Sequence, residues 1–353
     1  MRLYAEWEKP KKIILVLPSS NSDWNETLDA IHENYRRILK AISSYCEILL
    51  CFSGDQKSLH FIETLDMPNV KSLLIANNDT WVRDFAPICI QKDGETLFLD
   101  FGFNGWGLKY PANFDNLFSR KLKELGEISN IKTLDLILEG GSIESDGNGV
   151  LLTTNCLLNP NRNPHKSKQE ITNALKKYLG VQKILWLKHG ALLGDDTDAH
   201  IDTLARFLDP NTIAYIKCED PLDPHFVGLS KMEEELRRFK TLDNKKYDLV
   251  PLPLPKIYEK INRKNATNTI MYGQGEKERR QQGEGQGDQG RRLAASYANF
   301  LIIKEVLFLP IYGVSEDELA IKALSKFYKV IPIKCLDLIY QNGSLHCATA
   351  PLY

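Results

Sequence analysis

The sequence predicts an α/β protein, and two observations carry that reading. Short strand-like apolar runs alternate with amphipathic stretches along the chain, and a unit of strand, polar turn, strand and often helix recurs. Over 353 residues, five such units would be roughly 70 residues each, too large for a four-stranded propeller blade but suited to a strand–strand–helix–strand module. A ring of such modules would aim its polar turns at one centre. Pattern alone admits a second arrangement, an open α/β sheet whose strand-end loops happen to be acidic.

Taken in order, the strands are IILVLP, EILLCF, SLLIA, PICIQ, TLFLDF, DLILE, GVLLTT, KILWL, TIAYIK, NFLII, VLFLPIY and KVIPIKC. Helical spacing of apolar residues predicts helices over Glu26 to Ser44, Lys168 to Leu179, Lys231 to Phe239 and Glu316 to Phe327. The helices are spread evenly, so no sharp domain boundary is marked and residues 1–353 read as one domain. The recurring turns are NNDTWVRDFAP, EGGSIESDGNG, GDDTDAHIDTLA, RRLAASYAN and QNGSLHCAT. One segment breaks the rhythm: GQGEKERRQQGEGQGDQGRR, Gly273 to Arg292, has no apolar residue and cannot bury enough surface to order itself. It reads as a flexible, solvated insertion, with a lid over a site as the other reading.

Apolar residues at 43%, charged residues at 26% and a net charge of -1 describe a globular chain without the basic footprint that nucleic acid or an anionic membrane would require. The expected partner is a small molecule or another protein. The opening MRLYAEWEKPKKIILVLPSS carries a short apolar run broken by Pro18, which predicts a strand rather than a signal peptide. No window approaches the roughly 18 apolar residues of a membrane span. Seven cysteines without CxxC spacing predict free thiols and a cytoplasmic location. Cys51, Cys89, Cys218 and Cys335 lie in apolar strand-like runs and read as buried and inert. Cys347 differs, because it follows a polar turn rather than sitting inside a strand.

The richest polar stretch is GDDTDAHIDT, with Asp195, Asp196, Asp198, His200 and Asp202. Such a run suits either a divalent metal or recognition of a cation. In extended chain His200 and Asp202 share one face, and Asp196 and Asp198 have the same parity. DTWVRDFAP adds Trp81, Arg83 and Asp84, where a structural ion pair at a strand end is the plainer alternative. EGGSIESDG follows a strand yet lacks the GxGxxG dinucleotide fingerprint, and its Glu139 closes an apolar strand. The inventory is a nucleophile (Cys347), a proton carrier (His200) and three carboxylates (Asp84, Glu139, Asp202). A Cys/His protease uses the first two and has no obvious use for three acids. A planar guanidinium does use them: carboxylates grip its forked N–H donors, and its charge eases formation of a nearby thiolate.

Nearly end to end, AEWEKP, TWVRDFAP, LEGGSIESDGNGVLLTT, GDDTDAHIDT, RLAASYANFLI and NGSLHCAT resemble the agmatine deiminase and bacterial-type peptidylarginine deiminase family of guanidino-group-modifying enzymes. The resemblance implies the pentein fold, a five-fold pseudosymmetric α/β propeller, in one catalytic domain. It implies that Cys347 is the nucleophile and His200 the general acid/base, with Asp84 and Asp202 clamping the guanidinium. Glu139 would be a further substrate-side carboxylate, Asp196 would face the far amine of agmatine, Trp81 would line the pocket and Asp198 would support its turn. The implied reaction turns agmatine into N-carbamoylputrescine and ammonia through a covalent thiouronium, in putrescine biosynthesis, with no metal or organic cofactor. A homodimer or higher homo-oligomer is compatible with it.

Deimination of free or peptidyl arginine is the alternative within the family. Outside it stand a metal-dependent hydrolase built on the Asp/His run and a non-catalytic polyamine-binding protein. The sequence departs from the family pattern at Asn342, which replaces a glycine opening the cysteine turn. It departs again at Ala199, which replaces a glycine beside His200 and predicts a turn compatible with a Cβ. The third departure is the insertion itself.

Overall fold

The computed structural model describes residues 1–259 and 290–353, and its described strands repeat one unit five times: an antiparallel pair, a helix, and a third strand parallel to the second. After the turn at Trp81, Ile88–Lys92 pairs antiparallel with Glu95–Gly102, and beyond the helix Phe118–Glu124 the strand Ile131–Ile137 runs parallel to the latter. The next unit comprises Ile143–Ser145, Val150–Thr154, the helix Lys168–Leu179 and Lys183–Leu187. A third uses Ala205–Asp209, Thr212–Lys217, the helix Phe226–Leu236 and Asp248–Pro253. A fourth uses Leu301–Ile303, Val306–Ile311, the helix Glu316–Leu324 and Lys329–Lys334. The fifth joins distant parts of the chain: Ala350–Leu352 pairs antiparallel with Lys12–Val16, and the helix Leu28–Ser43 leads to Glu47–Phe52, parallel to Lys12–Val16.

The helix in each unit is dictated by strand direction, since parallel neighbours need a long crossover and antiparallel ones only a turn. Leu28–Ser43 shows why such a crossover packs where it does. Ile31, Tyr35, Ile38, Leu39 and Ile42 form one apolar stripe and are buried together with Ile13–Val16 and Ile48–Leu50. Each such side chain contributes about 1.5–3 kcal/mol on burial. Lys168–Leu179 begins with a capping box in which Ser167 Oγ accepts the Glu170 N–H and the Glu170 carboxylate accepts the Ser167 N–H.

The predicted strands recur in the structure, most with shifted ends, whereas Ile143–Ser145, Ala205–Asp209, Asp248–Pro253 and Ala350–Leu352 were not predicted as strands. The first two and the last are short, and two of them carry a charged residue, Glu144 and Arg206, that is fully or nearly buried. The predicted helix over Lys231 to Phe239 instead starts at Phe226 and ends at Leu236. Of the predicted insertion, residues 273–289 lie outside the described residues. Its last two, Arg291–Arg292, form a strand against Tyr258–Glu259, and Arg292 is buried with an N–H donated to the Pro255 carbonyl at 2.7 Å. The end of that segment is therefore not a solvated loop. Among the described residues no helix is long and apolar enough to cross a membrane.

Each unit places a polar turn directly before its first strand. Short 3₁₀ turns at Val82–Asp84, Gly140–Ser142 and Ile201–Thr203 precede three of the units, and Ser296–Asn299 and Ser344–Cys347 occupy the matching place in the other two. The expectation for Ala199 is corrected here: its φ is 69° and that of Asp198 is 68°, both in the left-handed region. The turn at His200 therefore keeps a glycine-like backbone although it carries a Cβ. Left-handed φ costs an L-residue about 1–2 kcal/mol, and glycine gives back roughly 0.5–1 kcal/mol of that in chain entropy. Ala199→Gly is therefore expected to raise stability by about 0.5–1 kcal/mol, read as a higher urea midpoint at unchanged m-value; an unchanged or lower midpoint contradicts the strain.

Candidate active site

The five turns meet, and hydrogen bonds between residues far apart in sequence record the meeting. The Arg83 N–H donates to the Cys347 carbonyl at 3.2 Å, which ties the first turn to the last. Asp84 Oδ1 accepts the Gly141 N–H at 2.8 Å, and Oδ2 accepts the Trp106 indole N–H at 2.8 Å. His200 lies between two acids, with Nε2 2.9 Å from Glu139 Oε2 and Nδ1 3.6 Å from Asp84 Oδ1. Cys347 Sγ receives the Asn299 Nδ2–H at 3.2 Å and directs its thiol toward Asp202 Oδ2 at 3.6 Å. Asp202 Oδ2 also accepts from His346 Nδ1 at 2.8 Å, while Asp202 Oδ1 is buried without a hydrogen-bond partner among the described residues.

Three glycines are sterically required for this convergence, and a Cβ on the first, Gly140, would lie 2.1 Å from the Arg83 carbonyl oxygen. A Cβ on Gly141 would sit 2.8 Å from His200 Nδ1 and 2.9 Å from both Asp84 Oδ1 and Asp202 Oδ2. A Cβ on Gly343 would meet the Trp81 ring at 2.4 Å. Asn342, the departure noted in the sequence, takes φ 67°, which asparagine tolerates better than most residues, and its amide donates to Asp196 Oδ2 at 3.1 Å.

A cleft leads to this cluster. Cys347, Asp84, Trp81 and Asp196 line it, joined by Trp106 and Tyr110, with Asp23 and with Asp79, whose carboxyl burial raises to about 7. Tyr110 donates its hydroxyl to Asp196 at 2.7 Å. Trp106 and Tyr110 come from a backbone in which Gly105, Trp106, Gly107 and Leu108 all have positive φ, from 55° to 82°. That run reverses the chain tightly and turns both rings toward the cleft. Among the predicted residues, Glu139 is brought to the site but not to the cleft wall. It is fully buried, and its carboxylate accepts from Arg162 Nε at 2.8 and 2.9 Å as well as facing His200. Asp198 supports its turn, accepting from Arg162 at 2.6 Å and Lys109 at 2.7 Å.

Burial and charge set the protonation states. Burial, which would lower His200, is outweighed by Asp84, Glu139 and Asp202, so His200 is pushed up to about 9 and is an imidazolium at neutral pH. Burial raises Asp84 to about 6, with the charges of Asp202 and Glu139 adding to it and His200 opposing. Asp196 rises to about 6 through burial and the neighbouring Asp195. Burial would raise Asp202, but His346, His200 and Arg206 hold it below the usual carboxylate range. Burial and the facing Asp202 and Asp84 push the Cys347 thiol well above its ordinary value. The site therefore sets a protonated thiol beside carboxylates, an arrangement suited to receiving a cation.

The Asp/His run does not gather as a metal centre. Asp195 caps its own turn at Thr197 and Ala199, Asp198 faces Arg162 and Lys109, and His200 faces Glu139. Among the described residues the cluster with ligand-like spacing is Glu6, Glu144 and His346, and the Arg206 guanidinium is already ion-paired with both of these acids.

Sequence reasoning missed Asn299, His346, Glu6, Arg162, Trp106 and Tyr110. Asn299 was within reach, since it ends the RLAASYAN turn at the place where the other turns carry their functional residues.

Comparison with known proteins agrees with the family resemblance. The agmatine deiminase of Pseudomonas aeruginosa strain LESB58 is 30% identical over 359 residues, covering 99% of this chain and 94% of that protein. The structure of C. jejuni C315S agmatine deiminase with substrate bound superposes with a TM-score of 0.84 at 38% identity, over 100% of this chain and 96% of that one. A crystal structure of a protein provisionally described as a peptidyl-arginine deiminase gives 0.89 at 41% identity, over 100% and 98%. Residues 2–352 match the Porphyromonas-type peptidyl-arginine deiminase family along their whole length, and this chain is a member of it.

Proposed function

We propose that the protein is an agmatine deiminase, a hydrolase that converts agmatine to N-carbamoylputrescine and ammonia. The observation that carries this reading is the pairing of a buried thiol with a carboxylate, Asp202, whose Oδ1 lacks a partner among the described residues, at the end of a cleft lined by four aromatic rings and four aspartates, with Thr197, Thr203, Gln341 and Asn342 between them and no basic side chain. A guanidinium supplies the N–H donors that oxygen lacks and the charge the thiol needs. The acids lining the rest of the cleft, Asp196, Asp79 and Asp23, suit the terminal amine of agmatine and would repel the carboxylate of free arginine. The names of the Pseudomonas and C. jejuni relatives support the same substrate.

In this mechanism Asp84 and Asp202 hold the guanidinium flat over Cys347. Its arriving positive charge lowers the thiol, which loses its proton to solvent, and the thiolate attacks the guanidinium carbon. The tetrahedral adduct expels ammonia as the His200 imidazolium protonates the leaving nitrogen. Now neutral, His200 takes one proton from the water that attacks the thiouronium, and as the adduct collapses to the urea carbonyl the carbon–sulfur bond breaks and the remaining hydroxyl proton restores the Cys347 thiol. Glu139, held by Arg162, orients His200 from behind. Trp81 packs on Gly343 at the cysteine turn and walls the channel for the substrate's alkyl chain. We place the five units in a pentein-type propeller forming one catalytic domain, because the equivalent turn of each contributes to a single centre. The seven cysteines, none bonded to another, fit a cytoplasmic setting.

Purified protein offered agmatine and arginine in parallel is expected to release ammonia from agmatine, undiminished by EDTA, and Cys347→Ser to release none while melting cooperatively. Release from arginine alone, or an active serine variant, overturns the assignment. Asp84 must be ionised and His200 protonated in the free enzyme, so kcat/KM should fall below a limit near 6 and above a limit near 9. A profile flat from pH 5 to 10 contradicts those roles. Gly141→Ala should cost on the order of 100-fold in kcat/KM by displacing three functional groups at once, with circular dichroism unchanged.

A further inference from the structure

Cys347 is preceded by a second histidine that the mechanism does not use. His346 is buried, with Nδ1 2.8 Å from Asp202 Oδ2 and Nε2 2.7 Å from Glu6 Oε2. An ionised carboxylate only accepts hydrogen bonds, so both ring nitrogens must donate, and a ring with both nitrogens protonated is an imidazolium. Both partners are ionised. Apart from His346, Glu6 has the Arg206 and Arg83 guanidinium groups beside it, and Asp202 has His200 and Arg206, so each acid has a cation against burial that does not depend on His346. Glu6 is itself fixed: its Oε1 lies 2.9 Å from Arg206 and accepts the Ile302 N–H at 3.1 Å, and its Oε2 lies 3.4 Å from Arg83. The His346 backbone N–H donates to Asn299 Oδ1 at 2.9 Å, so the ring cannot shift without moving the cysteine turn.

The consequence falls on Asp202. Its carboxylate has one oxygen engaged by His346 and the other left without a partner among the described residues. A lone buried carboxylate could rotate to satisfy either oxygen or take up a proton; one pinned by a charged donor can do neither.

We propose that His346 is a positioning residue for deimination, a charged link from Glu6 that locks Asp202 ionised and in the orientation that offers Oδ1 to the guanidinium. This rests on the deiminase reading above. His346 acts through Asp202 and touches no reacting atom. The charged or titratable groups facing Asp202 are His346 and Cys347 from the last turn, His200 from its own turn, Arg206 from the following strand and Asp84 from the first turn. With His346 removed, the charges of His200 and Arg206 remain, but the hydrogen bond that sets the carboxylate's orientation is lost.

Three measurements on the full-length protein test this. In nitrogen-15 spectra at pH 7, the His346 ring, identified by its absence in H346Q, should show the signature of two protonated nitrogens. A neutral ring overturns the proposal whether or not agmatine is the substrate. Second, H346Q should raise KM for agmatine on the order of 10- to 100-fold, with a smaller loss in kcat, as expected for one lost charge-assisted hydrogen bond to a substrate clamp. Its acid limb of kcat/KM should move to higher pH and steepen, because Asp202 now takes up a proton in the range where Asp84 does. A stable H346Q enzyme with wild-type KM and acid limb overturns the proposal, as does one whose kcat falls while the acid limb stays fixed, the result a merely structural role gives. Third, E6Q should move KM and the acid limb in the same direction by a smaller factor. Should H346Q fail to fold, E6Q decides: an unchanged acid limb there overturns the link. If wild-type protein released no ammonia from agmatine, the substrate assignment would fail by itself, and the nitrogen-15 result would still decide the charge on His346.

Discussion

Mutual repulsion of buried carboxylates is the constraint around which this site is built. Asp84, Glu139 and Asp202 converge on one histidine with almost no exposure to water. Ionised acids held so close and dry would each take up a proton unless cations stood among them. The fold answers acid by acid: Arg162 on Glu139, His346 on Asp202, and His200 between Glu139 and Asp84. Asp84 has only a share of His200 and two neutral N–H donors, and it alone of the three is raised. The remaining negative charge faces the cleft, which gives the site its appetite for a cation. Behind it, Glu6 and Glu144 share the buried Arg206, whose guanidinium also donates to the Phe300 carbonyl at 2.7 Å.

Such charge balance is possible because one local arrangement is repeated. A polar turn, a first strand and an antiparallel partner recur five times, and each turn leaves one polar residue two to four positions before its strand. Asp84 precedes Ile88, Glu139 precedes Ile143, Asp202 precedes Ala205, Asn299 precedes Leu301 and Cys347 precedes Ala350. Backbone geometry thus delivers five side chains to one place without any long loop reaching across. The arrangement tolerates strain locally: Asp198, Ala199 and Asn342 hold left-handed backbone, as does the run from Gly105 to Leu108.

Legibility in the sequence followed the same division. Apolar strands such as Lys12–Val16, Glu47–Phe52 and Lys183–Leu187 could be read because their burial is paid for by their own side chains. Ile143–Ser145 and Ala205–Asp209 could not, since Glu144 and Arg206 look like surface residues until each is seen as the other's partner. Cys347, His200, Asp84 and Asp202 were legible because a nucleophile, a base and acids on turns already suggest chemistry. Glu6, His346, Arg162 and Asn299 were not, since what they do depends on contacts across the chain, 340 positions apart for Glu6 and His346. Glu139 shows the reverse limit: sequence placed it near the site, but only the structure reveals that Arg162 and His200 take both its oxygens.

The fifth unit, assembled from strands whose paired residues Ile14 and Ala350 come from opposite parts of the chain, has a consequence for synthesis. A ribosome extends a chain at about 5–20 residues per second, so the strand Lys12–Val16 emerges tens of seconds before the strand that covers its edge. During that interval the nascent protein carries an open, apolar sheet edge, the kind of surface that chaperones hold and that neighbouring chains can join. It also lacks Cys347, which is translated only three residues before that covering strand. On the reading proposed above, a truncated or stalled chain would bind its substrate poorly and modify nothing, and Cys347 meets the cell only when the sheet edge beside it is about to be closed.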